Sequence, residues 1–207
     1  MKYYKVPDHI EALIFDIDGT LVDTMPTHYK SSRIACLRHG YDFPLDYFLK
    51  KAGRPTLTVF EEFVSDFDIS YDGRTLGLEK EALVEQMIPE FKPMPVIAQT
   101  AIHYHGKLKM ALGTGGTHDI ASRTVEAAGL SPYFDVLVSA DDVTNFKPHP
   151  ETFLKAAEAL GVEPSKCLVF EDAEPGLKAA RDGGFEVLDI RTVVPEMIYE
   201  TGELSIK

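Results

Sequence analysis

The chain has 207 residues, of which 44% are hydrophobic and 26% are charged, a composition typical of folded globular proteins and not of disordered ones. Its 33 acidic and 21 basic residues give a formal net charge of −12, which disfavours nucleic acid and anionic lipid as partners. Because the chain has only two cysteines, we expect a cytoplasmic protein with reduced thiols. It has no apolar run of about 18 residues, so we expect no membrane segment. We also expect a monomer.

Five short apolar stretches predict buried parallel strands, because such strands are apolar on both faces. In chain order they are residues 12–15, 108–112, 136–139, 167–170 and 186–190. Helical patterns lie between the last four, at residues 118–128, 151–160 and 176–181. This alternation predicts an α/β fold with a doubly wound, Rossmann-like parallel sheet. From about residue 192 onward no pattern is evident, and we predict a loosely packed tail.

About ninety residues separate the first two predicted strands, far more than one crossover requires. Helical patterns fill this gap, at residues 27–40, 45–51, 56–63 and 78–88. In the last of them, Leu78, Leu83 and Met87 are expected to share an apolar face. We therefore predict a small all-helical domain at residues 25–91, inserted into an α/β core made of residues 1–24 and 92–207.

Polar residues follow four of the predicted strands, and in open α/β sheets ligands bind at these carboxyl ends. In chain order they are Asp16 and Asp18, then Thr114, Gly115 and Gly116, then Lys147, and finally Glu171 and Asp172. Taken singly, each has an ordinary explanation as a turn, a loop or a helix cap. The predicted topology, however, brings all of them to one edge of the sheet. Four acids at one edge would repel one another, which predicts a bound divalent cation.

Four stretches resemble the motifs of the haloacid dehalogenase-like superfamily, in the phosphatase branch whose helical cap follows the first strand. They are IFDIDGTLVDT at 14–24, LGTGG at 112–116, FKPHPETF at 146–153 and VFEDAEPGLKAA at 169–180. More narrowly, the chain is similar to β-phosphoglucomutase and to fructose-1-phosphate phosphatase-like proteins. The resemblance implies an Mg²⁺-dependent hydrolase of a small phosphorylated metabolite, such as a sugar phosphate, acting through an aspartyl-phosphate.

The resemblance also assigns roles to the acids. Asp16 would be the nucleophile, which as an ionised carboxylate needs no separate base, and would also bind the metal. Asp18 would act as general acid and base, for which a raised pKa is favourable, and would give its backbone carbonyl to the metal. Glu171 and Asp172 would complete the oxygen ligands of Mg²⁺.

The remaining core residues would hold the phosphoryl group. The hydroxyl of Thr114 and the backbone of Gly115 and Gly116 would form a nest for its oxygens. Lys147 would neutralise charge on the transferring group and on Asp16, since phosphoryl transfer depends mainly on positioning and electrostatic stabilisation.

Four residues in the helical insert or directly before it are candidate substrate contacts. Thr24 and His28 lie one helical turn apart and so share a face of the first helix of the insert. In the resembling mutase, the position of His28 helps relay the proton through the acid/base aspartate. Lys80 aligns with a cap lysine that touches substrate in the resembling proteins. Arg54 lies two positions away from the place of the arginine that holds the second phosphate in the mutase.

Three functions remain open from the sequence. A phosphatase is favoured because the clamp for a second phosphate is weakened or missing: Arg54 is displaced, and the sequence Gly116-Thr117-His118 follows the second strand without the lysine that the mutase has there. A β-phosphoglucomutase-type isomerase would need Arg54 and His118 to replace that clamp. A catalytically inactive binding protein would be expected to have lost Asp16 or Asp18, and both are present.

Overall fold

A computed structural model describes residues 2–194, so most of the predicted tail, residues 195–207, lies outside the described part. Its centre is a five-stranded, fully parallel sheet in the order β3-β2-β1-β4-β5. The strands are β1 (Ala12–Phe15), β2 (Lys109–Gly113), β3 (Val136–Val138), β4 (Cys167–Glu171) and β5 (Glu186–Asp189). The predicted α/β fold is therefore confirmed. β1, in the middle, is completely buried, which explains its continuous apolar run.

Residues 2–194 form eight α-helices, of which the last four pack against the sheet. They are α1 (Met25–Leu37), α2 (Leu45–Lys51), α3 (Thr56–Asp66), α4 (Gly73–Met87), α5 (Pro95–Tyr104), α6 (His118–Ala127), α7 (Glu151–Leu160) and α8 (Glu174–Asp182). Alternate residues of β1 enter different cores: Leu13 and Phe15 pack with α5 and α6, while Ala12 and Ile14 pack with α7 and α8. Helices thus cover both faces of the sheet. None of the helices within residues 2–194 has the length and apolar character needed to cross a membrane.

Helix α5 is not among the predicted helices, because it begins at a proline, Pro95, which usually interrupts a helical pattern. Proline is nevertheless well tolerated in the first turn of a helix, and Pro95 occupies that position. Behind it, Ile97, Ala98 and Ala101 follow the spacing of a helix face, and all three are buried.

The helices α1 to α4, which we call the helical insert, lie between β1 and α5. Their own core is a cluster of aromatic and aliphatic side chains comprising Cys36, Phe43, Val59, Phe60, Phe63 and Leu76. The predicted apolar face of α4 is wrong, since Leu78 is 53% exposed whereas Leu76, Lys80 and Val84 are buried. The buried residues of α4 recur every four positions and include a lysine, so apolar residues alone do not indicate this face of the helix.

The start of the predicted tail also differs from expectation. Ile190–Thr192 form a 3₁₀ turn, and Ile190 and Val194 are buried in the core beside the sheet. Packing of these two side chains anchors the chain at least as far as Val194.

Candidate active site

A cavity of about 500 Å³ lies between the carboxyl ends of the strands and the helical insert. Asp16, Asp18 and Thr114 line it from the sheet, whereas residues such as His28 and Lys80 line it from the insert. β1 lies at the centre of the sheet, between β2 and β4. From β2 the chain continues outward to β3, and from β4 it continues outward to β5 on the opposite side. Ligands commonly bind at such switch points.

Lys147 is the central cation of the site and is only 1% exposed. Its ammonium group donates to Oδ1 of Asp16 at 2.7 Å and to Oε2 of Glu171 at 2.8 Å. It also donates to the carbonyl oxygen of Gly113 at 3.2 Å and lies over the ring of Phe153. These charged neighbours raise the pKa of Lys147 despite its burial, so the residue remains a cation.

More acids than cations lie in this group, and the excess negative charge acts on the pKa of Asp16. Burial, followed by the charge of Glu171, raises the pKa of Asp16 well above its ordinary value; Asp172 and Asp18 add to the shift, and Lys147 only partly opposes it. The shift makes Asp16 harder to ionise in the protein alone, an effect that a bound cation would oppose.

The arrangement of oxygens fits a divalent cation. Within the described residues, Asp16, Glu171 and Asp172 each offer a buried carboxylate oxygen, and these oxygens lie within 4.8 Å of one another. An all-oxygen donor set of this charge suits a hard cation such as Mg²⁺. Glu171 is already engaged, because its Oε1 accepts from the amides of Asp172 and Ala173 while its Oε2 binds Lys147. Both carboxylate oxygens of Glu171 thus have hydrogen-bond partners.

Asp18 belongs to a different network, on the side of the helical insert. Its Oδ1 accepts from the hydroxyl of Thr24 at 2.8 Å and lies 3.1 Å from Nε2 of His28. The other ring nitrogen of His28 lies 2.8 Å from Nζ of Lys80, which in turn contacts Thr56 and Glu81. The carboxylate of Asp18 is not part of the acidic group described above.

This network lowers the pKa of Asp18 to about 2. Burial alone would raise it, but the charge of His28, hydrogen bonds from His28 and Thr24 and the charge of Lys80 outweigh burial. The expected raised pKa is therefore wrong for the protein without substrate. A phosphate dianion beside Asp18 would oppose this shift and favour the protonated form.

The loop after β2 closes the cavity floor. Thr114 is 1% exposed, and its hydroxyl accepts from the amide of Gly116 at 3.0 Å. Gly115 lies so close to the insert that a Cβ at this position would collide with the carbonyl oxygen of Gly53. The absence of a side chain at Gly115 lets core and insert meet at the cavity.

Sequence comparison agrees with this arrangement. Residues 10–184 match the haloacid dehalogenase-like hydrolase family. The chain belongs to the haloacid dehalogenase-like hydrolases.

Similar proteins of this family include named phosphatases. The chain is 37% identical over 180 residues to fructose-1-phosphate phosphatase YqaB of Escherichia coli, covering 86% of this chain and 95% of that protein. It is 31% identical over 182 residues to a phosphorylated carbohydrates phosphatase of Thermotoga maritima, covering 86% and 83%. Among solved structures, β-phosphoglucomutase from Clostridium difficile has a TM-score of 0.74 and 25% identity, covering 86% of this chain and 83% of that one.

Two residues of this haloacid dehalogenase-like hydrolase were not singled out from the sequence. The buried hydroxyl of Thr20 donates to Oδ1 of Asp172 at 2.8 Å and orients that carboxylate. Thr20 lies in the quoted IFDIDGTLVDT stretch, so its position offered a signal. Glu62, which lies on α3, offered no such signal: its carboxylate accepts from the two terminal guanidinium nitrogens of Arg54, at 2.6 and 2.7 Å. Arg54 lines the cavity, but the carboxylate of Glu62 neutralises its positive charge.

Proposed function

We propose that this protein is an Mg²⁺-dependent phosphatase that hydrolyses a sugar phosphate through an aspartyl-phosphate on Asp16. The observation that carries the proposal is the buried group of Asp16, Glu171, Asp172 and Lys147, of which Asp16 lines a cavity of about 500 Å³. The phosphatase names of two relatives, one acting on fructose 1-phosphate and one on phosphorylated carbohydrates, support the substrate class.

In the first half-reaction, a carboxylate oxygen of Asp16 attacks phosphorus as the bond from phosphorus to the sugar oxygen breaks. Asp18 gives its proton to the departing alkoxide. In the second, Asp18 takes a proton from water, which attacks phosphorus and releases Asp16 and inorganic phosphate. Asp18 lies in reach of both steps because Thr24 and His28 fix its carboxylate beside the cavity.

Charge control falls to the other core residues. Lys147 neutralises Asp16 and would stabilise the negative charge of the transferring group. The hydroxyl of Thr114 and the amide of Gly115 would hold the phosphoryl oxygens. Mg²⁺, held by Asp16, Asp172 and the backbone carbonyl of Asp18, would supply the positive charge that keeps Asp16 ionised. Glu171, the third acid of the group, would help to complete the oxygen ligands of the metal and would orient Lys147.

Residues 25–91 would act as a lid that excludes water and contacts the leaving group. In support, the insert contributes His28, Lys80 and Arg54 to the cavity wall, while the phosphoryl-binding residues come from the sheet. This separation would let the core grip every substrate in the same way, with the insert selecting among them.

A β-phosphoglucomutase-type isomerase is the weaker alternative. It would need cationic groups to hold the second phosphate of a bisphosphate intermediate. Arg54 is engaged by Glu62, and His118 is exposed and lies outside the residues that line the cavity. Neither residue therefore supplies the missing clamp.

The test is release of inorganic phosphate from a panel of sugar monophosphates in the presence of Mg²⁺. Activity should vanish in EDTA and return when Mg²⁺ is added in excess. Undiminished turnover in chelator would contradict the metal-dependent proposal, and conversion of a hexose 1-phosphate to its 6-phosphate with a bisphosphate primer would favour the isomerase.

A further inference from the structure

The leaving-group half of the cavity has cations on its wall, yet each is held by an acid. Arg54 and Lys51 line the cavity and both bind Glu62, with Lys51 at 2.6 Å from Oε2. Lys80 also lines it and lies 3.1 Å from Oε1 of Glu81. Within the described residues, the lysines and arginines on this wall are therefore all paired.

Glu62 does not itself line the cavity, although the two cations that it binds do. It lies on α3 behind the two cations, and its carboxylate binds Arg54 in the two-bond geometry that a guanidinium also uses for phosphate. The hydrogen bonds from Arg54, followed by those from Lys51, lower the pKa of Glu62 to about 2, although burial opposes the shift. Glu62 is thus a fixed anion near neutral pH.

The rest of the wall adds negative charge. Glu85, Asp119 and Asp141 line the cavity together with Glu81. Arg123 contacts Glu85 and Asp119 at 3.6 and 3.0 Å, but it is not among the residues of the wall. A second phosphate dianion would therefore meet acids and compensated cations, whereas neutral hydroxyl groups would meet hydrogen-bonding partners without repulsion.

We propose that Glu62 restricts the enzyme to monophosphates with an uncharged far end, by holding Arg54 and Lys51 away from a second phosphate. Glu62 is a positioning residue here, since it acts through the two cations. The inference rests on the proposed phosphatase function and deepens it by naming a residue that sets the substrate class. It also accounts for the presence of cations on the wall of a site that takes no second phosphate.

The test is Glu62→Gln, which keeps the shape of the side chain and removes its charge. The ratio of kcat/KM for a hexose bisphosphate to that for the matching hexose monophosphate should rise at least about tenfold, chiefly through KM for the bisphosphate. Glu61→Gln is the matched control, because it removes the same charge from an exposed neighbour on α3. That variant should leave the ratio within about twofold of the wild type, as expected for a distant, screened charge.

Two further measurements separate the possible failures. Adding Arg54→Ala to Glu62→Gln should remove most of the gain, since the freed guanidinium produces it. In an Asp16→Asn background, calorimetry should show tighter binding of the bisphosphate by the Glu62→Gln form, a result that does not depend on turnover. An unchanged ratio and unchanged affinity would overturn the inference. A wild-type enzyme that hydrolyses no monophosphate would instead overturn the proposed function.

Discussion

The ammonium nitrogen of Lys147 lies 2.7 Å from Oδ1 of Asp16, and the side chains are 0% and 4% exposed. The same nitrogen lies 2.8 Å from Oε2 of the fully buried Glu171. One cation thus stands between two buried carboxylates. Its removal would leave both without their main compensation, which links the chemistry of the site to the stability of the fold.

Lys147→Met should reduce hydrolysis of sugar phosphates and of a small aryl phosphate by similar factors, about 10²-fold or more, because every substrate carries the same transferring group. In chelator, the free energy of unfolding should fall by about 3 kcal/mol or more, as expected when one partner of a buried ion pair is removed. Added Mg²⁺ should raise the Tm of the variant more than that of the wild type. Equal Tm shifts for the two proteins would contradict the shared-charge argument.

The stability difference should also depend on pH. A carboxyl group whose folded pKa is raised, as for Asp16, contributes stability that is present below its ordinary pKa and lost as pH rises. Losing Lys147 should raise that pKa further. In chelator, the deficit of Lys147→Met relative to the wild type should therefore be smaller at about pH 5 than at about pH 8, as measured by urea unfolding.

Asp16→Asn keeps the shape of the side chain but removes its nucleophilic charge. We expect kcat to fall at least about 10³-fold, on the scale of losing an essential group. Asp23→Asn is a suitable control, because Asp23 is an exposed acid near the same loop and outside the cavity wall. Retention of more than about a tenth of wild-type activity by Asp16→Asn would rule out the covalent route.

The sequence predicts this core well because its signals are local. A buried central strand must be apolar throughout, and polar residues directly after it must lie at the carboxyl edge of the sheet. Asp16 and Asp172 could therefore be placed together although 156 positions separate them. The adjoining strands β1 and β4 then bring them to the same edge.

Other features depend on three-dimensional contacts that no spacing rule specifies. The depressed pKa of Asp18 depends on a histidine and a lysine from two different helices. The pairing of Arg54 with Glu62 depends on how the loop before α3 folds back onto that helix. Lys80 lies on the buried stripe of α4, where sequence patterns lead one to expect an apolar residue.

Lys80→Ala should affect substrates unequally. Lys80 lines the cavity and contacts His28, so its loss removes the proposed leaving-group contact and loosens the support of Asp18. We expect kcat/KM for sugar phosphates to fall about 10- to 100-fold, with a smaller loss for a minimal aryl phosphate that does not reach the insert. Lys50→Ala, which removes an exposed lysine from α2, is the control. Equal losses on all substrates would show that the insert does not select the leaving group.

Gly115→Ala tests whether contact between core and insert is needed for activity. The new methyl group would collide with the carbonyl oxygen of Gly53, and its nearest further neighbours are backbone atoms of the same loop, so no side-chain rotation relieves the clash. Because Gly115 follows β2 and Gly53 follows α2, the clash should push the insert away from the sheet while leaving Asp16 and Lys147 in place. Displacements of about 1 Å in a positioned site typically cost about 10²-fold in rate, and we expect a loss of this size for sugar phosphates.

Small-angle scattering should at the same time show a larger radius of gyration for Gly115→Ala than for the wild type. Gly116→Ala is the structural control, because a methyl group there meets only side-chain atoms, at 3.5 and 3.8 Å. Its radius of gyration should match that of the wild type. A compact Gly115→Ala enzyme with normal activity on sugar phosphates would show that the approach of Gly53 to Gly115 is not required for catalysis.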